Sequence, residues 1–212
     1  MKNNLTYAIT VCNEYAELRK LIDSLLKNKR DQDPIVVLCD TTKATPEIIT
    51  YLKAHNEEYT GVTAFFDKFD NHFASWKNKL NDFCLSDYIF QIDADELPHE
   101  DLIEMLPHII NQDPDVVLIP RYNIVNGITQ EHIQKWGWRQ DEFGRINWPD
   151  LQWRLYRKDK RIYWVNKVHE KLEGYKSIAA LPGNDNLGQL YLYHIKNIEK
   201  QEKQNQLYDT LT

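Results

Sequence analysis

Apolar and polar positions follow two rhythms along the first half of the chain. Residues 5–11 form a β-rich run that turns polar at Asn13. Leu18, Leu21, Ile22, Leu25 and Leu26 then take the i, i+3, i+4, i+7, i+8 spacing of one helix face. Residues 35–39 are continuously apolar between Asp-Pro and Asp-Thr punctuation, the pattern of a strand buried on both faces. Thr45-Pro46-Glu47 predicts a helix start, with Thr45 as N-cap and Pro46 as the first helical residue. Strand, helix, strand, helix and strand follow at residues 62–66, 75–85, 88–92, about 100–111 and 116–122. Such alternation predicts an α/β fold with a mainly parallel central sheet and helices on both faces.

Beyond Tyr122 the rhythm changes. Short strand candidates at residues 153–157, 162–165 and 191–194 are separated by loops containing Trp, Arg and Gly. A polar helical segment follows at 197–212, with Ile198, Tyr208 and Leu211 as anchors. No repeat, low-complexity tract or linker divides the chain, so residues 1–212 read as one domain with a nucleotide-type half to about 122 and an elaborated half from about 123.

Composition narrows the class. With 212 residues, 42% hydrophobic and 27% charged, the chain has enough core to fold without a disulfide or metal staple. Cys12, Cys39 and Cys84 lack metal-ligand spacing and read as free thiols in a reducing compartment. The start carries no secretory-length apolar stretch, and no window approaches a membrane span, so a cytoplasmic protein, peripheral to a membrane at most, is expected. The net charge of −6 argues against a general nucleic-acid binder. Yet residues 139–176 hold ten basic and six acidic side chains, +4 against −10 for the remainder, an excess that fits either a local anionic ligand or a solvated surface. Five of the six Trp also fall between Trp136 and Trp164.

The most informative segment is Tyr88-Ile89-Phe90-Gln91-Ile92-Asp93-Ala94-Asp95-Glu96, an apolar strand that ends in three carboxylates. Ligands of open parallel sheets bind beyond the carboxyl ends of the strands, so these acids are expected to project into the functional crevice. Clustered like charges need a cation or another positive partner, and a hard divalent ion that takes one or two carboxylates plus phosphate oxygens suits them. An acidic turn capping the next helix is the plain alternative.

In this order the motifs resemble the family 2 glycosyltransferases of the GT-A fold. Ala8-Ile9-Thr10-Val11-Cys12-Asn13-Glu14 is similar to the family's first strand, and Phe73-Ala74-Ser75-Trp76-Lys77-Asn78 to the segment before its fourth strand, with Lys77 for the usual Arg. Asp93-Ala94-Asp95-Glu96 resembles its D-x-D motif. Trp153-Arg154-Leu155-Tyr156-Arg157 and Val168-His169-Glu170 are similar to the subgroup of lipopolysaccharide-core and cell-wall transferases. Cys39-Asp40-Thr41-Thr42-Lys43 departs from the family, which carries two Asp and a Gly-Ser stretch there.

The resemblance implies a metal-assisted, inverting transfer of a sugar from a nucleotide-diphosphate donor, a UDP-sugar first, to an acceptor hydroxyl. Thr10, Glu14 and Asp40 would contact the nucleotide, Lys77 the diphosphate, and Asp93 the ribose or the metal. Asp95 would bind Mn2+ or Mg2+, with His194, or alternatively His169, completing the metal site. Glu170 is the first candidate base and Asp150 the second. Trp148, Trp153 and Arg154 would bind the acceptor, a glycan or, as a lesser option, a hydroxylated DNA base. Each has a structural alternative: turn residues, ion pairs or core tryptophans. A sugar-phosphate nucleotidyltransferase is the competing enzyme class, although Asn13-Glu14-Tyr15-Ala16 lacks that class's Gly-rich loop. A non-catalytic sugar-binding module leaves the carboxylate cluster without a purpose.

Overall fold

The computed structural model describes residues 3–58, 60–183 and 188–211. The predicted alternation is present as β1 (Leu5–Val11), α1 (Tyr15–Asn28), β2 (Ile35–Asp40), α2 (Pro46–Glu58), β3 (Val62–Asp67), α3 (Phe73–Phe83), β4 (Tyr88–Asp93), β5 (Leu97–Pro98), α4 (Glu100–Ile110) and β6 (Val116–Ile119). Leu18, Leu21, Ile22 and Leu25 of α1 are fully buried, each worth about 2 kcal/mol of apolar burial. Leu26 sits at the edge of that stripe and is half-exposed. α3 begins two residues earlier than its apolar spacing indicates, because the His72 ring accepts from Ser75 N and caps the helix. It ends before Leu85, which is exposed.

The predicted strand over 116–122 divides at Pro120. Proline offers no N–H to a ladder, so β6 stops at Ile119 and β7 (Arg121–Asn126) enters a different sheet. After α5 (Gln130–Trp136) come β8 (Gln152–Arg157), β9 (Tyr163–Val165), β10 (Lys171–Glu173), β11 (Ile178–Ala180), β12 (Leu192–Asn197) and α6 (Ile198–Leu211). Of the predicted α6 anchors, the Leu211 side chain lies outside the described residues, as does Thr212.

The main sheet has the order β11-β6-β8-β4-β1-β2-β3. β1 pairs in parallel with β2 and β4, β2 with β3, and β11 with β6, whereas β8 runs antiparallel between β4 and β6. One core lies under α1, α2 and α4, and a second lies between α3 and the β9–β10 hairpin on the opposite face. A small sheet of order β5-β12-β7 stands beyond the end of β4. No helix among the described residues is long and apolar enough to cross a membrane.

Candidate active site

β1, β2 and β4 end together at one rim of the sheet, and the chain beyond them encloses a cavity of about 980 Å³. In the parallel register Thr10 stands beside Asp93, and its hydroxyl donates to Asp93 Oδ1 at 3.1 Å. The turn after Asp93 leads directly into β5, which pairs with β12 through Leu97 and Tyr193. β12 pairs in turn with β7, setting His194 opposite Asn123. This small sheet brings His194 Nε2 to 3.4 Å from Asp95 Oδ2. Asn123 Oδ1 lies 3.0 Å from His194 Nδ1, so the two ring nitrogens are held between Asn123 and Asp95.

Electrostatics keep these groups in defined states. Burial opposes ionisation of Asp93, but the Arg154 and Lys77 charges prevail and hold its carboxyl well below the usual carboxylate range. Burial likewise opposes a charged Asp95, and contacts with His194 and Lys200, whose Nζ is 3.0 Å from Oδ2, more than offset it. Burial lowers the pKa of His194, favouring the neutral ring that a metal ligand requires. Burial, with Arg121 beside it, pushes Lys196 down to about 8.

Of the three residues read as metal ligands, Asp95 and His194 face each other, whereas Asp93 is bound to Thr10 and to Arg154 Nη2. No cluster of three His, Cys, Asp or Glu suited to a metal occurs among the described residues. A carboxylate oxygen opposite an imidazole nitrogen does fit a divalent ion that would take its remaining positions from phosphate and water oxygens. His169, the competing ligand candidate, meets Tyr208 edge-to-face instead, with ring centroids 5.5 Å apart.

Glu96 corrects the sequence expectation. It does not project into the crevice: its side chain is fully buried, accepting from Arg154 Nη2 at 2.7 Å and from Arg121 Nη1 at 3.3 Å. Arg154 itself is buried, bridging Asp93 and Glu96, so its contacts lie with the carboxylate turn rather than with an acceptor surface.

The remaining candidates also line the cavity, with one exception. Glu14 Oε2 accepts from the amides of Cys12 and Asn13, and Asp40 accepts from the amides of Thr42 and Phe69, so both carboxylates brace the loops that form the wall. Lys77 Nζ lies 2.6 Å from Glu170 Oε1 and over the Trp164 ring. Asp150, at φ 39°, is held by Arg121 Nε at 2.8 Å and Gln152 Nε2 at 2.9 Å. His169, next to Glu170, also has a positive φ of 53°, and such backbone strain concentrates where a side chain must be aimed. Trp153 lines the cavity beside Tyr175. Trp148 does not line it; it packs against Tyr122, Tyr191 and the Arg145 guanidinium. Trp164 is a core residue that donates to Tyr156.

The basic excess of residues 139–176 is not a patch on the cavity. Arg145, Arg157 and Arg161 pair with nearby aspartates, and of the ten basic residues there only Arg154 reaches the wall. The other cavity cations are Lys43, Lys77, Arg121, Lys196, Lys200 and Lys203. Arg121, Asn123, Lys196 and Lys200 were missed by sequence reasoning; only the Pro120 break hinted that the chain turns toward the site there.

The family model of glycosyl transferase family 2 matches residues 6–174. S. aureus TarS 1-349 in complex with UDP superposes with a TM-score of 0.62 at 15% identity, covering 98% of this chain and 65% of that one. The same TarS 1-349 in complex with UDP-GlcNAc gives 0.61 at 14% identity, over 91% of this chain and 58% of that one. A further S. aureus TarS structure gives 0.60 at 13%, over 91% and 36%. The chain therefore spans 36% to 65% of the lengths of these structures, and the likeness is one of fold. No curated protein sequence matches the chain.

Proposed function

The chain belongs to glycosyl transferase family 2, and from that premise we propose that it transfers a sugar from a nucleotide-diphosphate donor to an acceptor hydroxyl. The observation that carries this reading is the placement of Asp93 and Asp95 at the end of β4, inside a cavity walled by the ends of β1 and β2. The donor is a UDP-sugar, a reading supported by the UDP and UDP-GlcNAc complexes of the similar TarS fold. Thr10, Glu14 and Asp40 line the cavity and would contact the nucleotide, and Asp93 would serve the ribose or the metal. Asp95 and His194 would hold Mn2+ or Mg2+, which when bound offsets negative charge on the diphosphate.

Between the two candidate bases, the cost of accepting a proton favours Asp150. Protonating Glu170 would strand the buried Lys77 without a counter-charge. Protonating Asp150 leaves Arg121 still paired with Glu96. Asp150 therefore takes the proton from the acceptor hydroxyl, whose oxygen attacks the anomeric carbon in a single displacement that inverts it. Glu170 fixes Lys77, and Trp153 offers an aromatic face to a sugar acceptor. Scarcity of free cations from residues 139–176 on the wall favours a glycan over DNA. Release of UDP from a panel of UDP-sugars, with and without Mn2+ or Mg2+, tests the reading; hydrolysis or transfer with none of them, in the presence of candidate glycans, would refute it.

A further inference from the structure

Three Lys or Arg side chains are buried among the described residues: Lys77, Arg154 and Lys196. A buried charge is costly unless a counter-charge offsets it. Two of the three are so matched, Lys77 by Glu170 and Arg154 by Asp93 and Glu96. Lys196 is not. Its ammonium donates to the neutral amide oxygen of Gln204 at 2.8 Å. The charges that face it are Arg121 and Lys200, which repel, and Asp95 and Glu96, which attract but already pair with Lys200 and with the two arginines. Among the buried cations of the cavity wall, Lys196 is thus the one whose charge is not matched by a bonded carboxylate, and it is held in place and partly desolvated.

α6 adds an independent sign. A helix packed on a globular body normally turns an apolar stripe inward. Here the cavity side of the helix presents Lys200, Gln201, Lys203, Gln204, Asn205 and Tyr208, with Leu207 the one aliphatic side chain among them. Ammonium and amide donors of this kind complement an anionic, oxygen-rich ligand and have little to gain from an apolar core.

The geometry points to Lys196, with the inner face of α6, as the site that holds the donor's diphosphate; this assignment rests on the nucleotide-sugar reading. As the acceptor oxygen bonds to the anomeric carbon, the bond from that carbon to the β-phosphate oxygen breaks, and its electron pair stays on the phosphate. The acceptor proton passes to Asp150. A fixed ammonium beside the diphosphate stabilises the charge that grows there. Lys77, engaged by Glu170, is not the diphosphate cation.

Calorimetry with UDP and with uridine on wild type, Lys196→Met and Lys196→Arg tests the assignment. Wild type should bind UDP more tightly than uridine. Lys196→Met should lose about tenfold or more in UDP affinity with uridine binding unchanged, and Lys196→Arg should retain most of it. Removing an unmatched buried charge should not lower the melting temperature, so a folded Lys196→Met protein is expected. UDP affinity within twofold of wild type in that variant would overturn the assignment and leave the donor reading standing. A wild-type protein that binds neither UDP nor uridine would overturn the donor reading and the assignment together.

Discussion

Arg154 Nη2 lies 2.7 Å from Asp93 Oδ2, joining the strand that ends in the carboxylates to a strand 61 residues later in the chain. The same nitrogen also bonds the buried Glu96. Arg154→Ala should therefore destabilise the fold by about 3–5 kcal/mol, because it leaves a buried carboxylate short of its partner. Urea unfolding measures this. A loss below about 1 kcal/mol would show that Arg154 acts on a ligand and not on the fold.

Asp95→Asn should abolish transfer while the melting temperature stays within a few degrees of wild type. Asp95 lies on the cavity wall and its carboxylate meets His194 and Lys200, so the amide keeps the shape and removes the charge. In the wild type, Mn2+ added with UDP should raise the melting temperature, and Asp95→Asn should lose that increment. Full turnover after EDTA treatment would refute a metal role.

The two candidate bases separate by what else their loss does. Asp150→Asn should lower kcat by about 100-fold or more with little change in stability, since Arg121 retains Glu96. Glu170→Gln should keep more activity but cost stability, because Lys77 loses its counter-ion. Steady-state kinetics and thermal melts on both variants decide, and the reverse pattern would exchange the two roles.

The aromatic residues divide in the same way. Trp153→Ala should raise the acceptor KM with UDP binding unchanged, as expected of a side chain on the cavity wall. Trp148→Ala should instead destabilise by about 2 kcal/mol or more, through lost packing on Tyr122 and Tyr191. Transfer assays and denaturation curves on the pair test the division.

Cys12 provides a pH test. Burial, with Glu14 and Asp40 nearby, pushes its thiol up to about 12, well above the ordinary thiol range. A folded pKa above the unfolded one adds stability that is complete below pH 9 and lost as the pH rises toward 12. At pH 8 the native thiolate is scarce, so alkylation of Cys12 should be slower than in the unfolded chain by on the order of 100-fold. Mass spectrometry of iodoacetamide-treated protein at pH 8 checks it, and equal rates would contradict the raised pKa of this half-buried thiol.

Much of the fold was legible because local pattern sufficed. The apolar runs of β1, β2 and β4 and the α1 stripe are each confined to one short window. The site was legible where function sits at a strand end, as at Asp93 and Asp95. It was not legible where partners are distant. Glu96 looks like a third crevice carboxylate until Arg121 and Arg154 arrive from 25 and 58 residues away. The polar pattern of α6 reads as a solvated helix, since periodicity reports which side is apolar and not what a polar side faces. Pro120 explains the misjudged strand: its effect on the ladder is local, but the sheet that receives β7 is not.

The position of β8 also bears on how the chain reaches this state. β4 and β6 follow one another in sequence apart from β5 and α4, yet no ladder joins them; β8 lies between them in the sheet. During synthesis the nascent chain can build β1 to β4 early, but the sheet stays open along one edge until Gln152–Arg157 has left the ribosome. Until then β4 presents an unpaired hydrophobic edge, and Asp93 lacks the guanidinium that neutralises it. A fragment ending near residue 122 would keep that edge permanently, and it should self-associate rather than persist as a free nucleotide-binding piece.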